Sequence, residues 1–474
     1  MPVSEGSRRT RRARPRTQLD AARQTAYDVL RAVDHSDAYL NLALPRLLAE
    51  RNLAERDAAF ATELAAGSAR MQGSYDVFLG GCVKGGLTAL QPEVLTALRL
   101  GAHQLLNMRV PAHAAVGTSV ELVRGAVGER PVRMVNAVLR RIGAQSFDAW
   151  VEATAPSRSG DVVGHLSVRH SHPRWVVGSF LAALHDVGQV EALLAADNVA
   201  PEVTLAVRPG LMDVAALCEQ GVVLDGAATG SIRRGRWSPY AAILSRGDPA
   251  SYPAVKAGTA GVQDEGSQLA ALAASRVEID GRDTSWLDLC AGPGGKAALL
   301  TGLGRARRAV VVAGELRLHR ARLVASALRA YPGSPAVVVA DGVQPPWGAG
   351  SFDRVIADVP CSGLGALRRR PESRWRRRPG DVEDLVLLQK SLLSSALGST
   401  RVGGVVTYVT CSPHPAETRG VVDAVLGQRE DDVEELDARA VLSDVPDLGP
   451  GPHAQLWPHL HGTDAIFIAQ LRRR

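Results

Sequence analysis

A chain of 474 residues is too long for one ordinary hydrophobic core, so two or three domains are expected. The composition, 46% hydrophobic and 22% charged, is that of a soluble globular protein, and no apolar run is long enough to span a bilayer, which excludes a helical membrane protein and points to the cytoplasm. The net charge of +6 sits in two places: six arginines between residues 8 and 16 against Glu5, and seven between 368 and 378 against Glu372. Such clustering suits a polyanion partner better than an even spread does.

Residues 1–17 are low-complexity and basic, and disorder is expected there. From 18 to 145 the pattern is helical throughout, with apolar stripes over 19–33, 41–49, 56–70, 92–106, 114–127 and 131–142, punctuated by Gly85-Gly86, Pro92, Pro111 and Gly128. That region reads as an all-α bundle. Residues 146–260 read as linker helices, one at 173–184, followed by a small α/β element with short apolar runs at 203–207, 222–224 and 232–237. From 261 to 474 strands and helices alternate. Strands are predicted at 285–289, 309–313, 336–340, 354–357 and 404–409, with helices at 296–303, 317–330 and 382–400, the pattern of a parallel sheet covered on both faces. Ligands of such a sheet bind beyond the carboxyl ends of its strands.

The chemistry-bearing residues fall at those ends. In DLCAGPGGK, residues 288–296, Gly292, Gly294 and Gly295 permit a tight strand-to-helix turn that lets backbone approach a nucleotide-like cofactor. Dinucleotide and S-adenosylmethionine (SAM) folds share this turn, whereas Ala297 after Lys296 disfavours a phosphate-cradling NTPase loop. Glu315 and Asp341, past the second and third strands, are suited to the ribose hydroxyls and the adenine amino group. Asp358, Pro360 and Cys361 follow the fourth strand, and Cys411 follows the fifth. A thiolate adding to C6 of a pyrimidine makes C5 nucleophilic enough to take a methyl group, and Asp358 is placed for the N3 and amino edge of the base. The residues alone leave open which cysteine attacks. Cys82, Cys218 and Cys290 read as small buried hydrophobes. The odd, scattered cysteines argue against disulfides, and no His or Cys spacing suggests a metal.

DLCAGPGGK, DVPCSGLGALRRRPESRW and VTYVTCS, with VQDEGSQ at 262–268 and HGTDAIF at 461–467, closely resemble the RsmB/Sun (Fmu) family of bacterial 16S rRNA cytosine-5 methyltransferases. The helical region, ending VNAVLRRIG, resembles that family's NusB-like RNA-binding domain. The resemblance implies an α/β Rossmann-like catalytic domain with a SAM site lined by Cys290, Ala291, Gly292, Pro293, Gly294, Gly295, Lys296, Glu315, Asp341 and Asp358. It implies Cys411 as nucleophile and Cys361 as the group assisting product release. Arg368, Arg369, Arg370, Arg374, Arg376, Arg377 and Arg378 are expected to grip small-subunit rRNA, with no metal and no membrane, in a monomer. The alternatives are a tRNA or other RNA substrate, or a non-catalytic NusB-like factor.

Overall fold

The computed structural model describes residues 20–474 except 37, 221, 225, 226, 246, 334 and 335. The basic tail expected over 1–17 lies outside the described residues. The chain divides into two compact units between Ala153 and Thr154.

The first unit is a helical bundle of α1 (Ala21–Ser36), α2 (Leu40–Arg51), α3 (Glu55–Arg70), α4 (Gln72–Gly80), α5 (Pro92–Leu106), α6 (Ala112–Ala126), α7 (Val132–Ile142) and α8 (Phe147–Thr154). Apolar residues three and four apart bury one face of each helix: Ala22, Ala26, Val29, Leu30 and Val33 on α1, and Val135, Val138, Leu139 and Ile142 on α7. At Gly101 on α5 a Cβ would lie 2.7 Å from the Leu139 side chain and 2.9 Å from Ser119, so a residue without one lets α5 approach α6 and α7 closely. Phe78 stacks on Trp150 with ring centroids 5.7 Å apart, which anchors α8 to α4.

The second unit begins with α9 (Val162–His170), α10 (Arg174–Leu184) and α11 (Val187–Ala196); the side chains of Asp161 and Asp186 cap α9 and α11 by accepting from Gly164 and Gln189 N–H groups. A small antiparallel sheet follows, made of β1 (Val203–Val207), β4 (Ile232–Arg234), β5 (Ala241–Leu244) and β6 (Ala260–Val262) in the order β4-β5-β1-β6. Helix α12 (Val214–Gln220), the hairpin β2 (Val222–Leu224) and β3 (Ala227–Gly230), and α13 (Pro253–Ala257) lie between its strands in sequence. The expected start of the catalytic domain at 261 therefore falls inside β6, which pairs with β1.

The main sheet contains β7 (Ser285–Asp288), β8 (Val310–Glu315), β9 (Ala336–Val339), β10 (Phe352–Asp358), β11 (Thr400–Thr410), β12 (Val433–Leu436), β13 (Ala454–Gln455) and β14 (Phe467–Arg473). Its helices are α14 (Glu265–Arg276), α15 (Gly295–Ala306), α16 (Leu318–Leu328), α17 (Ser373–Arg376), α18 (Pro379–Ser399), α19 (Arg419–Leu426) and α20 (Pro458–His461). Strands β9-β8-β7-β10-β11 are parallel, but β14 enters antiparallel between β11 and β12. The five predicted strands form the parallel part as expected, and the unpredicted β14 makes the sheet mixed: it arrives through a loop and the short α20 rather than through a crossover helix, and nothing obliges it to run parallel. Side chains alternate across the sheet. Trp286, Ile356, Val409 and Ile468 join the core under α14 and α15, while Leu287, Val355, Ala357, Tyr408 and Phe467 join the core under α18 and α19. The strand order reverses between β7 and β10, and the crevice at their carboxyl ends is where the predicted site residues converge.

Candidate active site

The glycine turn leads from β7 into α15 through Cys290, Ala291, Gly292 and Pro293. Gly294 has φ +92°, and a Cβ there would lie 2.8 Å from the Val324 backbone on α16, so glycine is required both for the turn and for the packing. Glu315, buried at the last position of β8, accepts from the Gly292 N–H and the Arg317 N–H, both at 3.0 Å. Each oxygen keeps acceptor capacity for a ribose hydroxyl. Asp341 is exposed beyond β9, with Oδ1 accepting from Val343 N–H at 2.9 Å.

Two groups at this turn were not singled out from sequence. Asp288 is fully buried at the end of β7 with no side-chain partner on either carboxyl oxygen, and burial, reinforced by Asp358, pushes it up to about 7 against the pull of Lys296. Gln263, also buried, has neither amide atom bonded and lies 3.4 Å from the Cβ position of Gly295. Orphaned polar atoms beside a glycine turn are the donor set that a zwitterionic, sulfonium-bearing cofactor needs: a carboxyl for its ammonium and acceptors for its ribose. The residues present fit SAM. Their signal in the sequence was adjacency, since each stands within a quoted motif. Cys290 is half-buried rather than fully buried as expected, and its thiol is held well above its ordinary value by desolvation and then by Asp288 and Asp358.

At the start of α15, Lys296 Nζ donates to Asp358 Oδ2 at 2.8 Å and to Ser267 Oγ at 3.3 Å. Burial opposes the lysine charge most strongly, yet Asp358 together with Cys411 and Asp288 raises the lysine's proton affinity on balance. Lys296, predicted as a cofactor contact, is therefore paired with Asp358. The two thiols meet: Cys361 Sγ and Cys411 Sγ are 3.3 Å apart although 50 positions separate them. The hydrogen bond to Cys411, and burial after it, hold Cys361 well above its usual range. The Cys361 loop is fixed by Gly365, whose N–H donates to the Cys411 carbonyl at 2.9 Å and whose carbonyl accepts from Ala465 N–H at 2.8 Å.

The arginine run divides, which corrects the expectation that all seven members face phosphate. Arg368 and Arg369 both bridge Asp264, the N-cap of α14, and Asp464, at 2.6–3.0 Å. Arg374 is completely buried and donates to the carbonyls of Ser171 and Asp197 and to the Asn198 side chain. A buried guanidinium must be paired or bonded to backbone, as Arg368 and Arg374 are. The half-buried Arg369 is held by the same two aspartates as Arg368, so all three are engaged within the protein. Arg370 and Arg378 are exposed, as is Trp375, and Arg376 and Arg377 are half-buried. Among the described residues no helix is long and apolar enough to cross a membrane, and no group of His, Cys, Asp or Glu could hold a metal ion.

A doubly covered sheet with this glycine turn and the acidic strand ends defines a SAM-dependent methyltransferase domain. A profile described as 16S rRNA methyltransferase RsmB/F matches residues 277–472, and one for the NusB family matches residues 20–144. A Mycobacterium tuberculosis relative that is named as a methyltransferase is 49% identical over 100% of this chain and 99% of its own. Ribosomal RNA small subunit methyltransferase B of Pseudomonas putida is 31% identical over 95% of this chain and 98% of its own. The solved structure of PH0851 shares the fold, with a TM-score of 0.77 at 19% identity over 96% of this chain and 99% of its own. The chain belongs to the RsmB/F family of rRNA methyltransferases, with a NusB-family domain at its N-terminal side.

Proposed function

We propose that the protein methylates C5 of a cytosine in 16S rRNA, through a covalent adduct between Cys411 and C6 of the base, as a cytoplasmic monomer. The observation that carries this reading is the thiol pair beside the Lys296–Asp358 ion pair, at the ends of adjacent strands. Asp288, Gln263 and Glu315 would hold SAM, which supplies an electrophilic methyl group on its sulfonium. Cys411 is the member of the pair suited to attack. Its sulfur lies 3.3 Å from the Cys361 sulfur and acts electrostatically on Lys296, so negative charge passing through it during the attack meets a thiol and an ammonium.

Addition of Cys411 to C6 shifts electron density to C5, which takes the methyl. Release then requires a base to take the C5 proton, so that the C5–H electron pair re-forms the C5–C6 double bond as the Cys411 sulfur departs with its own pair. Cys361, 3.3 Å from that sulfur, is assigned as that base, acting once its own proton has passed to solvent. Asp358 has one oxygen engaged by Lys296 and the other available for the amino edge of the base. Lys296, whose proton affinity is raised, holds that aspartate in place. A duplex base must leave its stack to reach these thiols.

The test is adduct trapping. Cys361→Ala incubated with SAM and 16S rRNA should accumulate an RNA complex that survives denaturing electrophoresis, and Cys411→Ala should form none. Adduct in Cys411→Ala but not in Cys361→Ala would exchange the two roles.

A further inference from the structure

We infer that Glu417 is the positioning residue that sets the spacing of the two active-site thiols. The inference deepens the reading above and rests on it for the roles of the cysteines. The main-chain ladder between β10 and β11 runs as far as Asp358 opposite Val409 and one further bond from Val359 N–H, which stops short of both thiols. The sheet alone therefore does not fix Cys361 against Cys411.

Glu417 lies in the short turn Pro415–Glu417 after β11, fully buried. Its Oε1 accepts from the Ser362 N–H at 2.7 Å and from the Gln389 side-chain amide at 3.0 Å. Its Oε2 accepts from the hydroxyls of Ser362 at 2.5 Å and Ser412 at 2.6 Å, which are themselves 3.0 Å apart. Ser362 directly follows Cys361, and Ser412 directly follows Cys411. One carboxylate thus ties the two cysteine-bearing segments together immediately behind their sulfurs.

Two further bonds brace the tie. Gln389, on α18, also donates to the Pro360 carbonyl at 2.9 Å, holding the Cys361 segment from its other side. The Tyr408 hydroxyl donates to the Glu417 carbonyl at 2.8 Å and pins the turn to β11. No lysine or arginine among the described residues pairs with Glu417, so the charge is buried for what it binds rather than for an ion pair. It also adds to the field that raises the Cys361 thiol. Without the carboxylate the Ser362 N–H would stand unpaired and the two hydroxyls would keep only each other. The segments would stay joined by the Gly365 N–H to Cys411 carbonyl bond, with less to set the spacing of the sulfurs.

The experiment compares Glu417→Ala, Glu417→Gln and the double variant Ser362→Ala/Ser412→Ala with the parent by two readouts. The first is capture of both thiols by one molecule of phenylarsine oxide, which forms two As–S bonds with loss of water and requires neither RNA nor SAM. Cys361→Ala and Cys411→Ala supply its baseline. The second is kcat and KM for RNA methylation. Glu417→Ala should lose roughly tenfold or more in arsenical affinity and about a hundredfold in kcat, the scale of an ångström misplacement, with KM for SAM little changed. Glu417→Gln, which keeps an acceptor for the Ser362 N–H, should recover part of both. Parent-like capture and kcat in Glu417→Ala would overturn the inference. If that variant fails to fold, the serine double variant decides: loss of both readouts supports the tie, and parent behaviour refutes it. Reduced capture in the variants, together with a parent that methylates no RNA, would refute the functional reading and leave the positioning role intact.

Discussion

Asp288 is the residue whose behaviour is most sensitive to its surroundings. A carboxyl that titrates at about 7 when folded, against about 4 in an unfolded chain, keeps a proton through pH 4–7 that the unfolded state has lost. The native state is then favoured at the acid end of that window, and this contribution fades as pH rises through 7. Asp197, also pushed up to about 7 by burial, acts with the same sign. Asp288→Asn should therefore raise the thermal midpoint at pH 8 relative to the parent by more than it does at pH 5, reducing the slope without removing it. The same variant should bind SAM about tenfold or more weakly in calorimetry, since a neutral amide replaces the partner of the cofactor ammonium. An unchanged SAM affinity would remove Asp288 from the cofactor site.

At the scale of elements, the segment from Cys361 to Arg378 is a rigid insert rather than a charged loop. Its arginines anchor it twice, to Asp264 and Asp464 through Arg368 and Arg369, and to α9–α11 and their flanks through Arg374. Leu364 and Leu367 from the same segment join the core formed by Leu166, Val177, Phe180 and Leu194. Asp264→Ala leaves the buried Arg368 and the half-buried Arg369 each short of a partner and should cost about 3–5 kcal/mol, read by chemical denaturation. Arg377→Ala/Arg378→Ala should leave stability within about 0.5 kcal/mol, weaken RNA binding, and lower the salt slope of log K by roughly 1–2. A large stability loss in the second pair, or unchanged RNA binding, would contradict this division of labour. Sequence could not make the division, because all seven arginines look alike until Asp264, about a hundred positions upstream, and Asp464, about a hundred downstream, fold onto two of them.

Across the whole molecule, the helical region and the strand–helix alternation were legible because their apolar periods are regular. What escaped had no such period. Helix α14 is buried on nearly every side and alanine-rich, so it shows no stripe, and β14 sits behind a motif whose polar residues draw attention first. The cofactor turn and the cysteine pair were readable from motif and strand-end position. Glu417 and the Lys296–Asp358 pairing were not, since each depends on segments brought together only by the tertiary fold, and Gln263 was marked only by standing within a quoted motif. The central claim joins these levels: a RsmB/F-family fold carries two thiols that a flipped cytosine must meet. Bisulfite sequencing of 16S rRNA tests it most directly, using cells that lack the gene and are complemented with the parent or with Cys411→Ala. The account predicts a 5-methylcytosine that disappears with the gene, returns with the parent and does not return with Cys411→Ala. A 16S rRNA methylation pattern indifferent to the gene, or restored by Cys411→Ala, would contradict it.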